Sequence, residues 1–293
     1  MYDTVLVPTD GSEHSVRAAE HGRYLAERFD ATLHVLAVVD VEAAAGVFDV
    51  GLEEGFVDRL EEQGRAAIDT VEAALDDVDQ LETALVRGEP SAAILDYAAE
   101  QGVELIAMGT HGRTGLDRYV TGSVTERVVR RAEVPVLTAR ATEHSRLEGD
   151  YEELLVPTDG SEPAAAAVEP GLAVAEATGA RVHAVHVVDV GSVALSPEYT
   201  TPGELLDRLA AAGEAMVEDV AAQARERGLE VVTEVRKGRP ARDLLAYADE
   251  AGVDLVAMGT AGRTGVGRYL LGSTTERVIR HAEMPVLAVN ARE

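Results

Sequence analysis

Short apolar runs alternate with stretches of helical periodicity along the whole chain. In the first half, runs rich in Val, Leu and Ile predict strands at Val5–Pro8, Thr32–Val39, Thr83–Arg87, Leu105–Met108 and Pro135–Thr138. Between these runs, apolar residues at helical spacing predict helices at Ser15–Phe29, Val57–Leu75, Ala92–Glu100 and Val124–Ala132. This alternation predicts a parallel sheet that helices cover on both faces, with right-handed crossovers.

Three of the predicted helices begin next to residues that favour a helix start. Ser12 precedes the first helix and can cap it, and Pro90 lies where a helix can begin. Ser123 is followed three residues later by Glu126, which predicts a capping box at the start of the fourth helix.

The chain repeats itself over nearly its whole length. Pro8-Thr-Asp-Gly-Ser-Glu13 returns as Pro157-Thr-Asp-Gly-Ser-Glu162, 149 residues on, and Arg87-Gly-Glu-Pro90 returns as Lys237-Gly-Arg-Pro240 at an offset of 150. The polar stretch 142–150 predicts a linker between a domain at 1–141 and a domain at 151–293. We expect each to be a doubly wound α/β domain whose five-stranded parallel sheet has the order 3-2-1-4-5 and is flanked by helices.

Composition narrows the classes of function. The 293 residues include no cysteine, which excludes disulfides, thiolate metal sites and a cysteine nucleophile. The formal net charge of −27 opposes binding to duplex nucleic acid or to an anionic membrane surface. No apolar stretch approaches the roughly 20 residues that span a bilayer, and no signal segment precedes the first strand. We therefore expect a soluble cytoplasmic protein.

The loops after the first and fourth strands carry the candidate chemistry. In a doubly wound sheet of this order these loops are neighbours at the switch point, where ligands bind. Asp10 and Asp159 follow the first strands and can accept hydrogen bonds from a ribose diol, although an aspartate there can also serve only as a turn or cap.

The loop after the fourth strand is rich in glycine in both repeats. Gly109-Thr-His-Gly112 is followed by Gly122-Ser123, and Gly259-Thr-Ala-Gly262 by Gly272-Ser273. These glycines can bring backbone N–H groups close to a polyphosphate at a helix start, or they can serve only as turns, with Ser123 as a cap.

Two common nucleotide motifs are absent, and the two loops differ at one position. No Gly-Lys-Ser/Thr follows the glycines, so there is no Walker A loop, and no Gly-x-Gly-x-x-Gly follows the first strand. His111 corresponds to Ala261, so a role for that imidazole cannot be common to both loops. The repeated pairs Arg113/Arg263 and Arg118/Arg268 could neutralise phosphate or remain solvated. No spacing of carboxylates or histidines predicts a metal site.

The motif Gly-x-x-Gly, nine residues, then Gly-Ser, together with Pro-Thr-Asp-Gly-Ser after the first strand, resembles the universal stress protein family in both halves of the chain. The resemblance implies ATP as ligand, with Mg²⁺ or Mn²⁺ able to bridge the phosphates. It also implies that the two domains pair within one chain, and a homodimer is compatible with it. The implied contacts are Pro8, Thr9, Asp10, Val38, Met108, Gly109, Gly112, Gly122, Ser123 and Val124, and in the second repeat Pro157, Thr158, Asp159, Val187, Met258, Gly259, Gly262, Gly272, Ser273 and Thr274.

Three functions are compatible with this reading. The leading hypothesis is a tandem nucleotide-binding or sensing module of the stress response that holds ATP at two sites. The alternatives are a slow ATPase or phosphotransferase that uses the same loops, and a chaperone-like partner that nucleotide stabilises. No positioned general base emerges from the sequence, which favours binding over catalysis.

The balance of basic residues suggests a salt-adapted protein. Lys237 is the only lysine among 26 lysine and arginine residues, against 53 aspartate and glutamate residues. An acidic, lysine-poor composition resembles that of proteins from salt-loving organisms, in which abundant cations screen the self-repulsion.

We predict that the melting temperature falls when the protein is moved from molar to millimolar KCl, because unscreened carboxylates then repel one another. Thermal unfolding followed by circular dichroism at both salt concentrations tests this. An unchanged melting temperature would contradict the halophilic interpretation.

Overall fold

The computed structural model describes residues 2–41, 55–75, 78, 80–110, 122–191, 202–262 and 271–291. These residues form two compact units, which divide between Leu147 and Glu148. Among the helices so described, none is long and apolar enough to cross a bilayer.

The first unit is a five-stranded parallel sheet. Its strands have the order β3-β2-β1-β4-β5 and are β1 (Thr4–Thr9), β2 (Thr32–Val39), β3 (Leu81–Arg87), β4 (Leu105–Gly109) and β5 (Val136–Ala139). Its described helices are α1 (Glu13–Phe29), α2 (Phe56–Ala74), α3 (Pro90–Glu100) and α4 (Ser123–Arg131). The predicted fold class and strand order are confirmed, and every predicted element of this unit lies within two residues of the observed bounds.

The second unit has the same topology. Its strands follow the order β8-β7-β6-β9-β10 and are β6 (Glu153–Pro157), β7 (Arg181–Asp189), β8 (Val231–Gly238), β9 (Leu255–Gly259) and β10 (Val286–Val289). Its described helices are α5 (Glu162–Ala166), α6 (Val168–Thr178), α7 (Pro202–Glu226), α8 (Pro240–Ala251) and α9 (Ser273–His281).

A proline divides the first helix of the second repeat. The single helix α1 corresponds to the two helices α5 and α6, which meet at Ala167. Pro170 occupies the position of His21 and has no N–H to donate to the carbonyl of Ala166, so the helix is interrupted in the turn before it.

The central strands form the core of each unit. Val5, Leu6 and Val7 of β1 have no exposed surface, and neither do Leu154 and Leu155 of β6. Burying each such side chain stabilises the fold by about 1.5–3 kcal/mol. Strands β3 and β8 are partly exposed, as expected for strands at the end of the strand order. In the buried centre, β1 pairs with β4 at Val5–Leu105 and Leu6–Ile106, and β6 pairs with β9 at Leu154–Leu255 and Leu155–Val256, so the carboxyl ends of each pair lie at the same edge of the sheet.

The helix starts follow two of the three predictions. Ser12 Oγ accepts a hydrogen bond from Ser15 N at 3.3 Å, and Pro90 occupies the first turn of α3. The predicted capping box at Ser123 is wrong. Ser123 is already the first residue of α4, its N-cap is Gly122, and Glu126 forms an ion pair with Arg130 at 2.5 Å. The first turn of α4 therefore begins without a side-chain cap.

A buried histidine connects α1 to the segment that follows β5. His21 is 2% exposed, and its Nε2 lies 2.8 Å from the carbonyl oxygen of Ser145. Burial lowers the pKa of His21 to about 4, so the ring is neutral at pH 7 and Nε2–H donates to that carbonyl.

We predict that His21 makes the protein acid-labile. Between pH 6.5 and about 4, the unfolded chain binds a proton at this position that the folded chain excludes, so stability falls as the pH is lowered through that range, by roughly 3 kcal/mol. His21→Gln should remove this part of the pH dependence, as measured by denaturant unfolding at pH 7 and pH 4.5. His144→Gln, which removes an exposed imidazole nearby, is the control; parallel pH profiles for wild type and His21→Gln would refute the prediction.

Candidate functional site

Each unit has a cavity at the carboxyl edge of its sheet. The cavity of the first unit has a volume of about 290 Å³ and that of the second about 400 Å³. Both adjoin the ends of the first and fourth strands of their repeat, where the strand order reverses. These volumes are at the lower end of the range for small-molecule sites.

The residues predicted for the site come together in these cavities. In the first repeat the cavity is lined by Pro8, Thr9, Asp10, Val38, Met108, Gly109, Gly122, Ser123 and Val124. In the second it is lined by Pro157, Thr158, Asp159, Val187, Met258, Gly259, Gly262, Gly272, Ser273 and Thr274. The remaining predicted residue, Gly112, lies outside the described residues, as do His111, Arg113, Arg118, Arg263 and Arg268.

The aspartate after the first strand lines the cavity and also forms a turn. Asp10 Oδ1 accepts from Ser12 N at 3.1 Å, and Asp159 Oδ1 accepts from Ser161 N at 3.0 Å. In the second repeat, Asp159 also lies next to the glycine loop. A Cβ added at Gly262 would be 3.0 Å from Asp159 Oδ2. One carboxylate oxygen thus stabilises the turn while the carboxylate lies at the cavity wall.

The glycine that ends the fourth strand is required by close packing. A Cβ at Gly109 would lie 2.7 Å from the carbonyl carbon of His14, and one at Gly259 would lie 2.0 Å from the carbonyl oxygen of Pro163. No side chain fits at these distances. In both repeats the end of the fourth strand therefore passes directly against the start of the first helix.

A pair of hydrogen bonds fastens the start of the next helix to this strand. Gly122 N donates to the carbonyl of Thr110 at 2.6 Å, and Thr125 Oγ1 donates to the carbonyl of Gly109 at 2.7 Å. The second repeat has the same bonds at Gly272 and Thr275, each at 2.7 Å.

These bonds decide which backbone groups of the helix start can meet a ligand. The N–H of Gly122 is engaged by Thr110, so it is not among them. The N-cap glycines have no side chain to cap the first turn, and the next two residues, Ser123-Val124 or Ser273-Thr274, line the cavity. First-turn N–H groups at the positive end of a helix favour an anion.

The structure adds residues that sequence reasoning missed. Ser15 lines the first cavity, with its Oγ 3.0 Å from Thr9 Oγ1. His186 lines the second, with its Nδ1 2.7 Å from the carbonyl oxygen of Thr158. Thr125 and Thr275 also line the cavities. Sequence analysis could have identified them, since both copies carry Gly-Ser-x-Thr. The repeat could not have identified His186, because its counterpart in the first repeat is Ala37.

The two cavities differ in the helix that follows the second strand. Leu209, Ala212 and Met216 of α7 line the second cavity, and Met216 packs against Gly160. Their counterparts on α2 are Leu60, Gln63 and Ala67, none of which lines the first cavity. The second cavity therefore has an additional apolar wall.

Titratable groups near the sites offer little for a metal ion. The described residues include no group of three or more His, Asp or Glu side chains placed to hold one. Burial, with a contribution from Arg140, lowers the pKa of His14, so the neutral ring accepts a hydrogen bond from Ala141 N at 3.0 Å.

Known proteins match the chain over both units. A profile described as the universal stress protein family matches residues 1–140 and again residues 150–290. A universal stress protein of Mycobacterium bovis is 30% identical over 294 residues, which cover 97% of this chain and 95% of the relative. A universal stress protein of Methanocaldococcus jannaschii is 36% identical over 141 residues, which cover 48% of this chain and 83% of the relative. In fold, the crystal structure of a universal stress protein from Archaeoglobus fulgidus DSM 4304 matches with a TM-score of 0.72 at 24% identity, covering 99% of this chain and 97% of that one.

We predict that Gly259→Ala lowers the free energy of unfolding by about 1–3 kcal/mol or more, because the new methyl group would overlap the carbonyl of Pro163. Gly272→Ala is the matched control. Its backbone, with φ −63°, accommodates a side chain, and the new methyl group would lie 3.4 Å from its nearest neighbours, so this variant loses only the preference of an N-cap position for glycine over alanine. Denaturant unfolding of the three proteins measures the difference. Equal losses for the two variants would contradict the packing explanation.

Proposed function

The chain belongs to the universal stress protein family, and we propose that it holds one adenine nucleotide, ATP, in the cavity of each repeat as a tandem nucleotide-binding module of the stress response. The observation that carries the proposal is the same in both repeats. An aspartate turn, a glycine packed against the first helix and a helix start without a side-chain cap converge on one cavity.

The adenosine would occupy the apolar part of the cavity. Val38 and Met108 in the first repeat, and Val187 and Met258 in the second, provide apolar surface for the base. Asp10 and Asp159 are the residues that we assign to the ribose hydroxyls, since a carboxylate accepts two hydrogen bonds from a diol.

The phosphates would bind at the starts of α4 and α9. There the N–H groups of Ser123 and Val124, or of Ser273 and Thr274, and the hydroxyl groups offer donors, while the helix dipole adds positive potential. In a chain with a net charge of −27, local donors of this kind are needed to offset the repulsion of a polyphosphate.

The family resemblance extends the proposal beyond the cavities. On that basis we propose that the two repeats pair within one chain, that the chain can form a homodimer, and that Mg²⁺ or Mn²⁺ bridges the bound phosphates. We also propose that the protein functions in the cytoplasm of a salt-loving organism.

We predict that the purified chain retains close to two ATP molecules after rapid separation in high salt. Asp10→Asn and Asp159→Asn should each lower retention by about one nucleotide per chain, because a hydrogen bond to a charged group contributes about 1.5–3 kcal/mol. Asp96→Asn, which removes the same charge from the exposed face of α3, should leave retention unchanged.

The same samples distinguish binding from catalysis. Phosphate release followed over hours should stay at the level of buffer if the protein only holds ATP. Release well above buffer that both aspartate substitutions abolish would indicate an ATPase instead. If wild type and Asp96→Asn retain no nucleotide, the proposed function is wrong.

A further inference from the structure

A second cavity of the second repeat adjoins the nucleotide cavity and is lined by cationic side chains. Its volume is about 610 Å³, and it shares with the nucleotide cavity the residues Asp189, Pro240, Ser273 and Thr274. Arg239, Arg242, Arg277 and His281 also line it, and we name these four residues the arginine cleft. Because Ser273 and Thr274 form the proposed phosphate site, the cleft opens beside the phosphate end of the nucleotide cavity.

The three guanidinium groups are not neutralised by neighbouring carboxylates. In the part of the chain that the structure describes, no carboxylate forms an ion pair with Arg239, Arg242 or Arg277. The neighbouring Arg236, by contrast, pairs with both Glu234 and Glu250. One carboxylate, Asp189, lines the cavity, and its Oδ1 accepts from Gly191 N at 2.9 Å. Arginines without carboxylate partners are suited to bind phosphate oxygens.

The first repeat has a different set of charges at the same positions. Glu89, Ala92, Arg127 and Arg131 replace Arg239, Arg242, Arg277 and His281. Glu89 Oε1 accepts from Arg127 Nη1 at 2.8 Å, so the arginine that corresponds to Arg277 is paired. One glutamate and two arginines give these positions a charge of +1, whereas three arginines give +3, or +2 when Asp243, which corresponds to Ala93, is included.

A change of helix cap accompanies the change of charge. In the first repeat Glu89 Oε2 caps α3 by accepting from Ala92 N at 2.9 Å. In the second repeat Asp243, the counterpart of Ala93, reaches back to accept from Arg239 N at 2.6 Å. Asp243 satisfies the N–H of Arg239, but no side chain caps the first turn of α8, so in the second repeat a cation stands where the first repeat has its glutamate cap.

We propose that the arginine cleft is an anion site for phosphate groups beyond those held in the nucleotide cavity. The second repeat would then prefer a nucleotide with a longer polyphosphate chain, or a nucleotide together with a free polyphosphate, and the first repeat would not. This inference rests on the proposed function, because the nucleotide cavity supplies the neighbouring phosphates.

Calorimetric titration of the full chain tests the inference, at the lowest salt at which circular dichroism shows the fold intact. The ligands are AMP, adenosine 5′-tetraphosphate, and inorganic tripolyphosphate added alone or after AMP. The variant Arg239→Glu/Arg242→Ala/Asp243→Ala gives the second repeat the residues of the first, including a glutamate cap for α8. Arg225→Glu makes the same change in net charge at an exposed end of α7 and is the control.

We expect the triple variant to lose about tenfold or more in affinity for the tetraphosphate at one site per chain, since contacts to charged groups are removed. AMP affinity and the Arg225→Glu control should match wild type. Tight binding of the tetraphosphate alone would show that the extra phosphates arrive on the nucleotide. Tripolyphosphate that binds alongside AMP would show that they arrive as a free chain.

Two outcomes separate this inference from the proposed function. If AMP binds normally and the triple variant binds both polyphosphates as wild type does, the cleft is not an anion site and the nucleotide sites stand. If AMP binds neither protein while tripolyphosphate binds wild type and not the variant, the nucleotide proposal fails and the cleft stands.

Discussion

The candidate sites depend on a steric constraint that both repeats share. The end of the fourth strand must pass so close to the start of the first helix that only glycine fits, at Gly109 against His14 and at Gly259 against Pro163. In the second repeat, the glycine loop that follows this contact brings Gly262 beside the carboxylate of Asp159. The hydroxyl of Thr125 or Thr275 then binds the carbonyl of the same glycine and fixes the start of the next helix.

Around this shared frame the two repeats have diverged. Pro170 divides the first helix of the second repeat, and the apolar face of α7 closes one side of its cavity. The second repeat lacks the glutamate cap of the first, and Arg239, whose N–H is bound by Asp243, takes its place beside the phosphate end. The duplication therefore preserved the backbone of the site while the side chains at its rim changed, which is the condition under which two copies can acquire different ligand preferences.

Much of the fold was predictable because it is encoded locally. Thr32–Val39 was predicted at its observed bounds, since a run of apolar, β-branched residues flanked by polar ones has no better conformation than a buried strand. Leu81 was missed at the start of β3, because an edge strand with exposed glutamate and threonine lacks that apolar signal. The capping box at Ser123 failed for a related reason. The motif is compatible with either an N-cap or a first helical residue, and the bond from Gly122 N to Thr110 selects the second.

The sequence by itself determined the repeat, the alternation of strands and helices, and the two loops that carry the site, because periodicity and turn chemistry are properties of neighbouring residues. Only the tertiary structure decided why Gly109 must be glycine, which N–H groups face the cavity, and that His186 and Met216 line one site and not the other. These depend on contacts between elements far apart in the chain, such as His14 with Gly109. Their distances follow from how the helices pack on the sheet, and local sequence carries no direct record of that packing.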